Sequence, residues 1–242
     1  MLHPFSRTEL LIGKEGLQRL AMAKVAVFGL GGVGSFAVEA LARSGVGNLV
    51  LIDHDVITIT NINRQLLATL NTVGRLKVEV MAERIKSINP SAKLEIHPVF
   101  YQPDSEEKLL QDDFTYIIDA IDTMTAKVDL IVKAKRKGLR IISSMGTGNK
   151  LDPEKLQVAD ISQTYTCPLA RLLRKELRKR GITNGVKVVF SPEHPVVLPS
   201  CAGQQEHVPG DRQIPGSIAF VPPVAGFLLA GAVVRELIGL ED

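Results

Sequence analysis

The sequence predicts an α/β domain: a Rossmann-like, doubly wound, mostly parallel sheet with helices on both faces, whose C-terminal half elaborates the same domain. Three observations carry this expectation. Short apolar runs alternate with helical patterns through the first half, a glycine-rich turn follows the first run, and an acidic residue closes the second. Alternating strand and helix implies right-handed crossovers, which cover both faces of a parallel sheet.

Taken in order, residues 1–22 read as an N-terminal helical arm. Lys24–Gly29 reads as a buried strand, Gly32–Arg43 as a helix and Asn48–Asp53 as a second strand. Over Arg75–Asn89 the apolar residues Val78, Met81, Ile85 and Ile88 fall at helical spacing. Lys93–Val99 alternates like a strand, Asp104–Gln111 is helical in pattern, and Tyr116–Ala120 is another buried strand. A helix over Met124–Lys137 then leads to a strand at Leu139–Ser144. Beyond it the rhythm loosens. Lys155–Gln163 and Gly185–Phe190 read as strands flanking a basic helix, Pro168–Arg180, and residues 191–216 form a proline-rich loop. Ser217–Val221 leads into a closing helix around Pro223–Leu237, apolar on most faces and read as buried. The division expected is the arm (1–22) and one nucleotide-binding domain (23–242), with a nucleotide half (23–145) and a substrate half (146–242).

Composition limits the classes of function. The chain has 242 residues, 45% of them hydrophobic and 23% charged, which suits one elaborated globular domain and excludes wholesale disorder. No stretch of about 18 apolar residues free of charge occurs, so neither a membrane span nor a secretory signal is expected. Two cysteines cannot make a disulfide framework and are too few for an all-cysteine zinc site. A reduced, cytoplasmic protein is the expectation. Residues 1–120 carry 12 Lys/Arg against 14 Asp/Glu, whereas residues 121–242 carry 17 against 12. The basic second half is a modest pointer to a polyanionic partner, although solvated helices produce the same signal.

Gly29-Leu30-Gly31-Gly32-Val33-Gly34 lies where a strand gives way to a helix. There a Cβ would keep phosphates from the backbone amides, and the helix N-terminus adds unpaired N–H groups. Asp53, 19 residues after Gly34, ends the second strand where a carboxylate meets ribose hydroxyls. NAD would be the default ligand, but the following residues suit ATP better. Arg64 and Lys77 can neutralise a triphosphate, and Asp122 can hold a magnesium ion bridging phosphate oxygens. The alternatives are a solvated Arg64, a Lys77 paired along its own helix and an Asp122 that merely caps a helix.

GLGGVGS, DHDVITITNINRQ, Lys77 and DAID resemble the ATP-dependent adenylating family of the ubiquitin-activating enzymes and the molybdopterin- and thiamine-pathway activators. The early segment FSRTELLIG is similar to that family's arginine-bearing N-terminal segment. The resemblance implies that Asp53 binds ribose, Arg64 and Lys77 bind phosphates, and Asp122 binds magnesium. It completes the nucleotide set with Asp55, Asn61, Asn63 and Gln65, and has Arg7 reach the partner subunit's phosphates in a homodimer. Within the family, SSMGTGNKLDP, CPLARLLRKELRKRG and GSIAFVPPVAG resemble the tRNA threonylcarbamoyladenosine dehydratase branch. That branch implies ATP-dependent cyclisation of threonylcarbamoyladenosine beside the tRNA anticodon, through an acyl-adenylate. The alternative is adenylation of the C-terminus of a ubiquitin-like sulfur carrier, and sulfur-transfer proteins are further candidate partners.

The sulfur-carrier activators commonly carry two CxxC pairs, which this chain lacks. Cys167 lies where some relatives place a catalytic cysteine, but ring closure is intramolecular and needs no protein nucleophile. Cys167 is therefore read as incidental, and Cys201 as less informative still. His3, His54, His97, His194 and His207 show no metal spacing. Arg171, Arg174, Lys175 and Arg178 fall on one face of the basic helix, opposite Leu169, Leu172, Leu173 and Leu177. The two readings of that face are solvated charge and contact with tRNA phosphates.

Overall fold

The computed structural model describes residues 2–104, 109–197 and 215–240. Its centre is one seven-stranded sheet of β1 (Lys24–Phe28), β2 (Asn48–Ile52), β3 (Lys93–His97), β4 (Tyr116–Asp119), β5 (Ile141–Ser144), β6 (Gln157–Asp160) and β7 (Lys187–Phe190). The order across the sheet is β3-β2-β1-β4-β5-β7-β6. Every pairing is parallel except β6 against β7, so the second half adds its strands to the same sheet.

The helices are α1 (Ser6–Met22), α2 (Gly34–Ser44), α3 (Lys77–Ile88), α4 (Met124–Arg136), α5 (Pro168–Arg178) and α6 (Val221–Leu237). Side chains alternate across each strand, and the sequence uses that period of two to feed two cores. Val25, Val27, Leu49, Leu51 and Ile118 face α2, α3 and α6, where Val38, Met81 and Leu229 are buried. Ala26, Phe28, Val50, Ile52 and Ile117 face α4 and α5, against Leu130, Ile131 and Leu173. Each fully buried aliphatic or aromatic side chain contributes about 1.5–3 kcal/mol. Covered on both faces, the sheet presents only its strand ends and edges to ligands.

Several boundaries differ from the sequence expectation, each for a local reason. The N-terminal arm is helical but breaks at Gly13, where φ is 71°. α2 starts at Gly34 because residues 30–33 form the turn out of β1. The strand expected over Lys155–Gln163 shrinks to Gln157–Asp160. Two 3-10 turns bracket it, at Pro153–Lys155 and Ile161–Gln163, capped by the side chains of Asp152 and Asp160. α6 begins at Val221 and takes Pro222 and Pro223 into its first turn, where a missing N–H leaves no hydrogen bond unmade. Residues 105–108 and 198–214 lie outside the described residues. So do half of the helix expected over Asp104–Gln111, most of the proline-rich loop, Cys201 and His207. No helix among the described residues is long and apolar enough to cross a membrane.

Candidate active site

The strand order reverses between β1 and β4, and open parallel sheets leave a crevice beyond the strand ends at such a point. A cavity of about 600 Å3 lies there. Gly29, Gly31 and Gly32 line it as the chain leaves β1. Gly34 does not, but it makes the turn possible: a Cβ there would sit 1.8 Å from the Gly29 carbonyl oxygen. The N-terminus of α2 thus closes against the loop with its amide groups open to an anion.

The segment after β2 builds the next wall. The buried Asp53 carboxylate accepts from the Leu30 amide at 2.6 Å and the Asp55 amide at 2.8 Å, tying this segment to the glycine loop. Lys77 is not paired along its own helix; it is buried and its Nζ lies 2.6 Å from Asp55. Arg75, two residues earlier, pairs with Glu83. Arg64 donates from one nitrogen to the Thr60 carbonyl and Asn63 Oδ1, both at 2.9 Å. Asn61 accepts from the Thr58 amide and shapes the turn that presents Arg64 and Gln65. Gln65 is 7% exposed, and its Oε1 is one of two buried side-chain polar atoms without a partner among the described residues. An orphaned acceptor in a cavity wall is an invitation to a ligand donor. Asp55, Asn61, Arg64, Gln65 and Lys77 all reach the cavity, whereas Asn63 stays outside and anchors to the Ser217 carbonyl at 3.0 Å.

β4 ends in the sequence Asp119-Ala120-Ile121-Asp122, and the two carboxylates do different work. Asp119 is fully buried: Lys127 Nζ lies 2.7 Å away, the Ser143 hydroxyl donates at 2.6 Å, and its other oxygen accepts from the Ile121 amide at 3.0 Å. Asp122 is exposed on the cavity wall; among the described residues its hydrogen-bond partner is the Thr123 hydroxyl at 3.4 Å, and it does not cap α4. An exposed carboxylate on the wall of a cavity that fits a nucleotide suits magnesium, which keeps its waters and takes one or two carboxylates plus phosphate oxygens. The glycine loop, the orphaned Gln65 oxygen and the cavity volume likewise fit a nucleoside triphosphate. His54, a residue without metal spacing in the sequence, meets Phe100 edge-on at 4.7 Å between ring centroids and lies 3.1 Å from Asp55. Asp53, His54 and Asp55 bring donor atoms within 4.8 Å of one another, but backbone amides and Lys77 already engage both carboxylates.

The second half closes the cavity, and here the sequence reading missed most. Gly146–Lys150, Cys167–Leu169 and the Pro215–Ser217 segment form the cavity wall together with the glycine loop, Arg64 and Lys77. Cys167, read as incidental, is 2% exposed and sits in that wall at the start of α5. Lys150, quoted only as part of a motif, is a buried cation of the same wall. Its burial was not legible, because a lone lysine between an asparagine and a leucine looks like surface.

On α5 the four cations do not behave alike. Arg171, Lys175 and Arg178 are exposed, and with Lys179 they edge a groove of about 480 Å3. Arg174 is half-buried and lies in the same wall, its guanidinium donating to the Thr164 carbonyl at 2.7 Å and to the Thr164 hydroxyl. Arg7 is exposed on α1, has no ion pair among the described residues, and does not reach the cavity of its own chain.

Comparison with known proteins agrees with this geometry. The ThiF family model matches residues 5–242. A tRNA threonylcarbamoyladenosine dehydratase of Bacillus subtilis is 47% identical over 243 residues, covering 98% of this chain and 96% of that protein. Its counterpart in Escherichia coli is 41% identical over 196 residues, covering 78% and 73%. The crystal structure of an E. coli tRNA N6-threonylcarbamoyladenosine dehydratase in complex with ATP superposes with a TM-score of 0.86 at 36% identity. That match covers 97% of this chain and 93% of the other; the complex with AMP gives the same TM-score. With a family match over nearly its whole length, and with the glycine loop, Arg64, Lys77 and Asp122 gathered around one cavity, the chain belongs to the ThiF family.

Proposed function

We propose that this protein is an ATP-dependent tRNA threonylcarbamoyladenosine dehydratase, working in the cytoplasm as a two-fold dimer. The observation that carries the reading is the single cavity that the nucleotide residues of the first half line together with Gly146–Lys150 and Cys167–Leu169 of the second. The near full-length similarity to dehydratases supports the choice of substrate. On this reading residues 23–145 hold ATP and residues 146–242 hold the modified base.

The chemistry follows from charge. A carboxylate is a poor electrophile, because its charge repels nucleophiles and oxide is a poor leaving group. Its oxygen attacks the α-phosphate of ATP, the bond to the β-phosphate bridging oxygen breaks, and pyrophosphate leaves. A nitrogen or oxygen of the same modification then attacks the acyl carbon, an N–H proton of that modification passes to solvent, the ring closes, and AMP departs with the former carboxylate oxygen. Substrate atoms supply both nucleophiles, so the protein's task is to position anions and offset their charge. The loop amides at Gly29–Gly34, Arg64 and Lys77 do so in cis. Asp55 holds Lys77 in place, Asp53 binds ribose, and Arg7 arrives from the second copy. Asp122 would hold magnesium, which supplies charge neutralisation at the phosphates. The exposed cations of α5 are placed to meet phosphates of the anticodon stem-loop.

Isothermal titration tests the nucleotide assignment. ATP with magnesium should bind and NADH should not, and Asp122→Ala should remove the magnesium dependence. Mass spectrometry of tRNA nucleosides from a deletion strain should then show loss of the cyclised base and its return with the gene. Tight NADH binding indifferent to magnesium, or an unchanged nucleoside profile, overturns the reading.

A further inference from the structure

The wall over the ends of β5 and β7 holds one cation that the nucleotide set does not explain. Lys150 is 3% exposed, yet it lines the cavity. Its Nζ donates to the Glu193 carbonyl at 2.6 Å and to the Ser191 carbonyl at 3.3 Å. An ammonium has three N–H groups, and the third has no acceptor among the described residues. Carbonyl oxygens solvate a cation without neutralising it. No carboxylate of the described residues lies within ion-pair distance of Nζ, and both oxygens of the Glu193 side chain accept from the Leu151 and Asp152 amides, at 2.9 and 3.1 Å. Burial pushes the Lys150 ammonium below the usual lysine range, against the opposing pull of Cys167 and Glu193.

The position is held rather than adaptable. Asn149, the preceding residue, exchanges backbone hydrogen bonds with Gly216 at 2.8 Å and Val196 at 2.7 Å, and its side chain accepts from the Gly216 amide at 2.6 Å. A buried cation held by carbonyls, with no carboxylate of the described residues paired to it, is stabilised by an anion that reaches the cavity. The triphosphate has Arg64 and Lys77 on the glycine-loop side of the sheet. Lys150 lines the same cavity from the far part of the sheet, held by the Ser191 and Glu193 carbonyls just after β7.

We propose that Lys150 is the binding group for the substrate carboxylate that is to be adenylated. The assignment deepens the reading given under Proposed function and rests on it. Two anions, the carboxylate and the α-phosphate, must meet for the first step. A fixed cation on the substrate side removes their repulsion. With one free N–H it takes one carboxylate oxygen only, leaving the other free to attack phosphorus. An adenosine lacking the threonylcarbamoyl group has nothing to offer this lysine, so the same contact discriminates modified from unmodified tRNA.

The test uses Lys150→Met, which keeps the stem and removes the charge, with Lys150→Gln as the variant whose amide still satisfies a carbonyl if the first does not fold. Lys150→Arg keeps the charge. The probes are a tRNA carrying threonylcarbamoyladenosine and the same tRNA with unmodified adenosine. Exchange of labelled pyrophosphate into ATP is followed alongside ATP binding by titration. In the neutral variants, kcat/KM for exchange with modified tRNA should fall about 10- to 100-fold, the range for losing a hydrogen bond to a charged group. The binding preference for modified over unmodified tRNA should vanish, ATP affinity should stay at the wild-type value, and Lys150→Arg should recover part of the exchange. A folded neutral variant with wild-type exchange overturns the assignment. So does one that loses ATP affinity while keeping its tRNA preference, which would give the lysine to the triphosphate. Wild-type protein that binds ATP but exchanges nothing with modified tRNA overturns the reading of the site itself.

Discussion

At Asp119 one carboxylate joins two jobs. One oxygen holds Lys127 and Ser143 in the fully buried interior, and the other fixes the Ile121 amide, one residue before Asp122. The pair therefore sets the backbone from which Asp122 faces the cavity. An ion pair taken wholly out of water gives little net stability while intact, but removing one partner leaves the other charge uncompensated. Lys127→Met should accordingly lower unfolding free energy by about 3–5 kcal/mol, read from urea denaturation, and adding Asp119→Leu should recover part of that loss. An unchanged midpoint would mean that water reaches Asp119. Lys77 and Asp55 make a contrasting pair, since Asp55 keeps nearly half its side chain exposed and the cavity is open to both. There an incoming phosphate can share the lysine without a buried charge being stranded.

At the scale of elements, α5 shows why a helical wheel is not an interface. Spacing put Arg171, Arg174, Lys175 and Arg178 on one face, but Thr164 tethers Arg174, so that guanidinium is committed to holding the helix against the preceding loop. Lys175 and Arg178 also lie in the last turn, where cations suit the helix dipole, so their presence alone does not require RNA. If Arg171, Lys175 and Arg178 meet phosphates, replacing all three by glutamine should reduce the slope of log K for tRNA against log salt by roughly 2–3 units, leaving ATP binding intact. Arg174→Ala should instead change thermal stability more than the salt slope. A slope that survives the triple replacement makes this face solvated charge. α2 and α6 give a second case. They pack so closely that a Cβ on Gly226 would lie 2.3 Å from the Val33 carbonyl oxygen. α6 thereby braces the glycine turn where it enters α2.

For the whole molecule, Arg7 poses the question of assembly. It is exposed, unpaired among the described residues and absent from its own cavity, on an arm that also exposes Leu10 (86%) and Leu11 (88%). A two-fold dimer in which each arm serves the other subunit would give all three residues a role, and a cation delivered in trans is a general way to stabilise phosphoryl charge. Arg7→Ala and Asp122→Ala should each be inactive alone. After subunit exchange about half the dimers are mixed and each has one complete site, so activity should return to roughly a quarter of wild type. No recovery after verified exchange removes Arg7 from the partner's site. The strand–helix order, the glycine loop and the acidic and basic residues that follow it are legible in the order of the amino acids. These features are local: periodicity sets an element, and a turn without room for Cβ demands glycine where it stands. The antiparallel β6, the burial of Lys127 and Lys150, the place of Cys167 in the cavity wall and the tethering of Arg174 emerge only from the folded chain. Each depends on a partner distant in sequence or on removal from water by another element, and burial is a property of packing that a residue's neighbours along the chain do not carry.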